Sequence, residues 1–194
     1  MILGSCEIAI HNKQLWLTLL LCLGCFSVMA VEEPAEYRME RYDDEVPDTL
    51  SGAVRISAVE ALELQQDKGA VIVDVIPEHR QPEELPEDQL WLPVPHEGVA
   101  GAVWLPDVGY GLLSVVTETY FRTHLEKLTE GDLKHALVFY CRTNCWMSWN
   151  AAKRALEYGY SSVFWLAEGI EDWKFEGYEL EMLEPAEGKR QTDR

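Results

Sequence analysis

Cysteine is scarce in this chain, and its placement makes it scarcer. Three of the five cysteines, Cys6, Cys22 and Cys25, fall in the first thirty residues. Beyond them only Cys141 and Cys145 remain, too few for a disulfide framework and too close to staple distant segments. Basic residues are also few: Lys plus Arg is 16 against 34 acids, a net charge of −18. Such a surface repels nucleic acid and anionic lipid, so no nucleic-acid partner is expected. The five histidines, His11, His79, His96, His124 and His135, are scattered, with none at metal-ligand spacing to the cysteines. No metal is expected, because a zinc site needs three or four ligands. A haem-attachment Cys-x-x-Cys-His and internal repeats are both missing, and no cofactor is expected.

Long apolar runs are lacking too. The longest lies near the amino end, Leu15-Trp16-Leu17-Thr18-Leu19-Leu20-Leu21-Cys22-Leu23, preceded by Lys13. It falls short of the roughly 20 residues a spanning helix requires. Val28-Met29-Ala30 then places small residues where a signal peptidase reads, and Val31-Glu32-Glu33-Pro34 turns polar. Residues 1–30 are therefore expected to be a secretory signal peptide, with a secreted product and no stable membrane insertion after cleavage. Leu23-Gly24-Cys25 loosely resembles a lipoprotein cleavage site, but Cys22 stands where such sites want Leu.

The rest of the chain is the size of one domain. Residues 31–55 are acidic, contain Pro34 and Pro47, and show no period, so they are expected to form a leader or edge segment. Ser57 and Glu60 make a capping box for a helix ending at Gly69. Residues 70–75 are a β-branched run, hence a buried strand. The prolines and acids of 77–97 predict a long surface loop, in which Trp91 packs on the core or faces a ligand. A short strand at 101–106, a helix at 117–128, a central strand at 136–140 and a helix from the cysteines to Gly159 come next. The last strand is 162–166 and a short helix covers 169–173. The tail, 181–194, is expected to be flexible. Helices alternating with short apolar strands argue for an α/β fold with a mostly parallel central sheet flanked by helices.

The chemistry concentrates in Cys141-Arg142-Thr143-Asn144-Cys145-Trp146. Strand, cysteine loop, helix is an arrangement that turns backbone N–H groups and a helix dipole toward a sulfur. Both favour thiolate over thiol. The polar loop and the second cysteine make Cys141 the candidate reactive sulfur, and Arg142 and Thr143 could supply further donors. Trp146 and Trp149, with Trp104 and Trp165 on strands, could stack on a flat ligand such as a quinone, although core packing explains most of them.

From Ile56 to Leu180 the chain resembles the rhodanese-like domains. Val71-Ile72-Val73-Asp74-Val75 is similar to the family strand ending Asp-Val-Arg. His96-Glu97-Gly98-Val99-Ala100-Gly101-Ala102 is similar to its His-Ile-Pro-Gly-Ala motif. Val138-Phe139-Tyr140-Cys141 matches the strand into the active-site cysteine, and residues 159–163 and 169–174 match its carboxyl end. The domain is accordingly placed at 56–180.

The resemblance implies that Cys141 is the nucleophile and carries sulfane sulfur as a persulfide, that Arg142, Thr143, Asn144 and Trp146 belong to the substrate-binding loop, with the N–H groups of Arg142 through Trp146 as its cradle, and that Asp74 gives structural support. Cys145 would then be the redox partner of Cys141, able to resolve the persulfide by forming a disulfide. More narrowly, Cys141-x-x-x-Cys145-Trp146 resembles a periplasmic group with a Cys-x-x-x-Cys-Trp motif. That group is associated with alcohol catabolism dependent on pyrroloquinoline quinone (PQQ), which implies a PQQ-dependent dehydrogenase system as a partner besides a small sulfur donor or a thiol/disulfide partner. Three departures matter. Ile76 replaces the Arg after Asp-Val, Trp146 and Met147 stand where a closing Arg often binds anionic donors, and the loop is one residue longer than usual. Two readings lead: a sulfurtransferase or thiol-redox protein, or a non-catalytic accessory protein that binds a partner or small ligand, with a structural Cys141–Cys145 disulfide; a metal-binding carrier is a distant third.

Overall fold

The computed structural model describes residues 31–188 apart from Arg80, Pro82, Glu83, Glu87 and Pro93. The signal peptide expected over 1–30 lies outside the described residues. Strands β1 (Val54–Arg55), β2 (Val71–Asp74), β4 (Val103–Trp104), β5 (Leu137–Tyr140) and β6 (Val163–Leu166) form one sheet in the order β1-β6-β5-β2-β4. Every pairing in it is parallel. Helices α1 (Ala58–Lys68), α2 (Val115–Leu128), α3 (Trp146–Glu157) and α4 (Gly169–Phe175) flank it. The fold is thus the α/β arrangement that the alternating pattern predicts.

The period of two along each strand sorts the core into two faces. Val73, Leu137, Phe139, Val163 and Trp165 pack with Phe121 and Leu125 of α2 and with Trp149 and Ala152 of α3. Ile72, Val138, Tyr140 and Leu166 pack with Ala58 and Ala61 of α1 and with Ile170 and Trp173 of α4. Helix α1 starts as its capping box requires: Ser57 Oγ accepts from Glu60 N–H at 3.3 Å, and Glu60 Oε2 accepts from Ser57 N–H at 2.8 Å. Gly69 closes it at φ 64°.

Three differences from the sequence-based expectations concern pairing at long range. The tail does not fray at 181. Leu180–Leu183 forms β7, antiparallel to β3 (His96–Val99), and together they make a second, two-stranded sheet. The tail stays docked beyond it, with Ala186 N–H donating to Trp104 O at 2.9 Å. Strand β3 also takes His96 and Glu97 out of the expected loop. Neither strand shows a clean alternation; each exists because the other supplies its hydrogen bonds. The segment 31–50 has almost no regular structure, yet Leu50 is buried and Val31, Tyr42 and Val46 pack against the core.

Tyr158 yields a first expectation. Its hydroxyl is buried and finds no hydrogen-bond partner among the described residues, while Arg122 lies 3.6 Å over its ring. Burial, partly offset by Arg154, pushes the phenol up to about 12. Burial and the Asp74 carboxylate push Tyr140 well above its ordinary value as well. Both folded-state values exceed the unfolded value of about 10. The linked stability is therefore intact below pH about 10 and is lost as pH rises toward the folded values. Tyr158→Phe keeps the ring under Arg122 and removes the unpartnered hydroxyl. It is expected to gain up to about 1 kcal/mol at pH 7 and to soften the alkaline decline. Urea midpoints at pH 7 and at pH about 11 check both.

Candidate functional site

The order β1-β6-β5-β2-β4 places a topological switch between β5 and β2. From β2 the chain runs outward to β4, and from β5 outward to β6, beyond which β1, the first strand in the chain, takes the edge. In parallel sheets such a switch opens a crevice at the carboxyl ends of the strands. Asp74 ends β2 and Tyr140 ends β5, paired in register, and Cys141 comes directly after. The sheet thus presents Cys141 at its crevice.

Cys141 and Cys145 are joined by a disulfide, with Cα atoms 6.1 Å apart. Both residues are buried, at 0 % and 1 % exposure. Cys145 is the N-cap residue of the twelve-residue α3, so both sulfurs lie at the positive end of a helix dipole. Asn144 takes a left-handed φ of 55°, a conformation Asn tolerates better than most residues. The loop is seated on α4. Ile170 N–H donates to Cys141 O at 2.9 Å, and a Cβ on Gly169 would meet that same oxygen at 2.4 Å.

The other side of the loop is closed by residues 31–50. Asp43 forms an antiparallel bridge with Cys145, and Trp146 N–H donates to Tyr42 O at 2.8 Å. The Trp146 indole donates to Glu45 O at 3.1 Å, with Arg38 5.1 Å over its ring. One turn on, the Trp149 indole donates to Thr49 O at 3.1 Å. Asn150 clasps the backbone of Arg38 from both sides, accepting from its N–H at 3.0 Å and donating to its oxygen at 2.9 Å. The acidic leader is thus a strap over the first turns of α3, a role that its lack of period concealed. The signal, in hindsight, was Trp146, Trp149 and Asn150 on one helix, each with a polar atom needing a partner outside that helix.

The candidate residues are brought to one place, but in different roles. Arg142 is exposed and lies 3.6 Å from Asp43. Thr143 N–H donates to Glu171 Oε2 at 2.8 Å and its hydroxyl to Glu168 O at 2.7 Å. Two of the N–H groups expected to form the cradle, those of Thr143 and Trp146, are therefore already engaged within the protein. Trp146 is buried at 2 % exposure, and Trp104, Trp149 and Trp165 are buried as well. None of these four rings presents a flat stacking face to a quinone. Trp91 stacks on His79, with centroids 6.3 Å apart.

Asp74 is a buried hub. Its Oδ1 accepts from Ile76 N–H at 2.8 Å; its Oδ2 accepts from Tyr140 OH at 2.5 Å and lies 2.8 Å from His96 Nε2. Tyr140 OH in turn accepts from Val99 N–H at 3.0 Å, and His96 stacks on Trp104 at 4.0 Å. One carboxylate thereby ties the end of β2, the residue before Cys141 and strand β3 together. Sequence reasoning connects neither His96 nor Tyr140 to it. No group of three or more His, Cys, Asp or Glu able to hold a metal occurs among the described residues.

The model of the rhodanese-like domain family matches residues 57–176. No curated protein matches the chain. Among solved structures, thiosulfate sulfurtransferase from Pseudomonas aeruginosa superposes with a TM-score of 0.46 and 17% identity, over 72% of this chain and 22% of that one. This chain thus spans about a fifth of that protein's length. The polysulfide-sulfur transferase homodimer of Wolinella succinogenes gives a TM-score of 0.43 and 19% identity, over 71% of this chain and 83% of that one. For 3-mercaptopyruvate sulfurtransferase from Leishmania major the values are 0.38 and 14%, over 77% and 41%.

Proposed function

The chain belongs to the rhodanese-like domain family, and from that premise we propose that it is a sulfur-transfer or thiol-redox protein whose Cys141 carries sulfane sulfur and whose Cys145 closes the site off. The observation that carries this reading is the bonded Cys141–Cys145 pair at the carboxyl end of β5, in the crevice of the sheet.

The chemistry runs in two states. An external dithiol reduces the disulfide and is itself oxidised, leaving two thiols at the start of α3. The dipole of α3, at whose start both sulfurs lie, favours the thiolate of Cys141. That thiolate attacks the outer sulfur of a donor, the donor's bond to that sulfur breaks, and the bonding pair leaves with the donor residue. Cys141 now holds a persulfide. A nucleophilic acceptor takes the outer sulfur, or the Cys145 thiolate attacks Cys141 Sγ, expels hydrosulfide and restores the disulfide. On the second route two electrons pass from the external dithiol to the sulfane sulfur, which leaves as sulfide.

The setting is a finer proposal. The signal-peptide pattern of residues 1–30 and the resemblance to a periplasmic group support a periplasmic location, an oxidising compartment where a resting disulfide persists. The Cys-x-x-x-Cys-Trp motif supports service to PQQ-dependent alcohol oxidation. The burial of both cysteines under the strap favours a second reading, a partner-binding accessory protein with a permanent disulfide. Sulfide release separates the two. Reduced protein given a sulfane donor is expected to release about one equivalent of sulfide and return to the disulfide. Cys145→Ser is expected to keep the persulfide and release none. A disulfide that resists dithiothreitol in folded protein would sink the sulfur-transfer reading in favour of the second.

A further inference from the structure

A loop that receives an anionic sulfur donor must hold free hydrogen-bond donors and unspent positive charge. Here part of those resources is spent inside the protein. Thr143 N–H, two residues past Cys141, donates to Glu171 Oε2 at 2.8 Å, and the Thr143 hydroxyl lies 3.4 Å from the same oxygen. The guanidinium of Arg142, the loop's own cation, lies 3.6 Å from Asp43. The first amide of α3 donates to Tyr42 O. Two carboxylates thus face the loop from opposite sides, Asp43 on the strap and Glu171 on α4. Glu171 is the better fixed. Two residues before it, the bare Gly169 backbone packs on Cys141 O and on Arg142, and Ile170 N–H bonds to Cys141 O at 2.9 Å. Backbone contact, rather than a long side chain's freedom, sets where this carboxylate sits.

We propose that Glu171 determines donor specificity: it occupies the loop's anion-binding amide and repels oxyanion sulfur donors, so that Cys141 takes sulfur from donors without net negative charge. The inference rests on the sulfur-transfer reading above. For a thiosulfonate, the Cys141 thiolate attacks the sulfane sulfur, the S–S bond to Cys141 forms, the bond between sulfane and sulfonyl sulfurs breaks, and its electron pair leaves with the sulfinate. Thiosulfate reacts in the same way and loses sulfite. The two classes differ in the net charge they bring to the loop, not in the bond made.

The test uses the full reduced chain carrying Cys145→Ser, so that the persulfide is retained and counted by intact mass. Three donors are compared: thiosulfate, doubly charged; methanethiosulfonate, singly charged; and thiotaurine, zwitterionic with no net charge. Each rate is divided by that of free cysteine with the same donor. With Glu171 in place, the normalised rates are expected to rise from thiosulfate to thiotaurine. Glu171→Gln keeps an oxygen to accept from Thr143 N–H, so the loop stays in place. It is expected to speed thiosulfate about tenfold at low salt and to leave thiotaurine within about twofold, the thiosulfate gain shrinking as salt rises. Unchanged donor ratios in Glu171→Gln, with sulfur uptake intact, would overturn the inference. No uptake from any donor by either protein would instead overturn the sulfur-transfer reading on which it rests.

Discussion

Reduced Cys141→Ser protein is expected to take up no sulfane sulfur, with rates down about three orders of magnitude or more, as losses of a nucleophile usually are. The expectation comes from position rather than from cysteine chemistry alone. Cys141 comes directly after β5, at the crevice of the sheet, and the peptide before it belongs to Tyr140, whose hydroxyl is bonded to the buried Asp74 at 2.5 Å. Its carbonyl is held by Ile170 N–H on α4. Strand, hub and helix thus fix Cys141 from three directions. Cys145 belongs to the strap side, bridged to Asp43. Cys145→Ser is expected to retain uptake, whereas Cys141→Ser loses it. Equal uptake by the two variants would show that either sulfur serves and that the strand-end position confers nothing. Serine is the right replacement, because it is close in size and leaves the buried site filled. Circular dichroism on each variant shows whether the fold is kept.

The second large effect is on stability and strap docking. Trp146→Ala is expected to cost about 3–5 kcal/mol, the range for removing a large aromatic from a packed core. Trp146 is among the largest fully enclosed side chains, and its ring contacts Trp149 edge-on at 5.4 Å. The substitution also removes the indole donor to Glu45 O and the ring beneath Arg38, two of the links that hold residues 31–50 to α3. The loss should therefore be local before it is global. Limited proteolysis is expected to cut the strap of Trp146→Ala at protease levels that leave the parent intact, while the sheet core stays protected. Trp149→Phe is a useful contrast: it loses the donor to Thr49 O but keeps an aromatic in the core, so its cost should be about half or less. If the strap of Trp146→Ala is cut no faster than the parent's, the strap is held elsewhere and the indole is ordinary packing.

Much of the fold was legible because much of it is local. Ser57, Glu60 and Gly69 bracket α1 by themselves, and the runs 71–74, 137–140 and 163–166 announce buried parallel strands without reference to any neighbour. The two cysteines were legible for the same reason: their scarcity and spacing single them out. Strands β3 and β7 were not, because a His-Glu-Gly-Val strand acquires meaning only beside Leu180–Leu183, more than eighty residues on. Nor was the strap. Acidic, proline-bearing sequence reads as solvated, and its backbone hydrogen bonds with Trp146, Trp149 and Asn150 leave no period to find.

The loop itself shows the same limit. That Cys141, Thr143 and Trp146 sit together is a consequence of their spacing. That Thr143 N–H is taken by Glu171 and Trp146 N–H by Tyr42 depends on α4 and the strap arriving from elsewhere. A loop read from sequence as an open cradle is thereby a partly filled one, and the change is chemical as well as geometrical. Fewer free donors and two facing carboxylates make it a poorer host for anions.

Intact-mass spectrometry of the folded protein, oxidised and reduced, after exposure to one sulfane donor under non-reducing conditions tests the central claim most directly. The Cys145→Ser form, run beside them, retains whatever sulfur Cys141 accepts. The expected result is no added mass on the oxidised protein, disulfide and sulfide from the reduced protein, and one added sulfur atom on Cys141 of Cys145→Ser. Sulfur added equally to oxidised and reduced protein, or none on Cys141 of reduced Cys145→Ser, would contradict it.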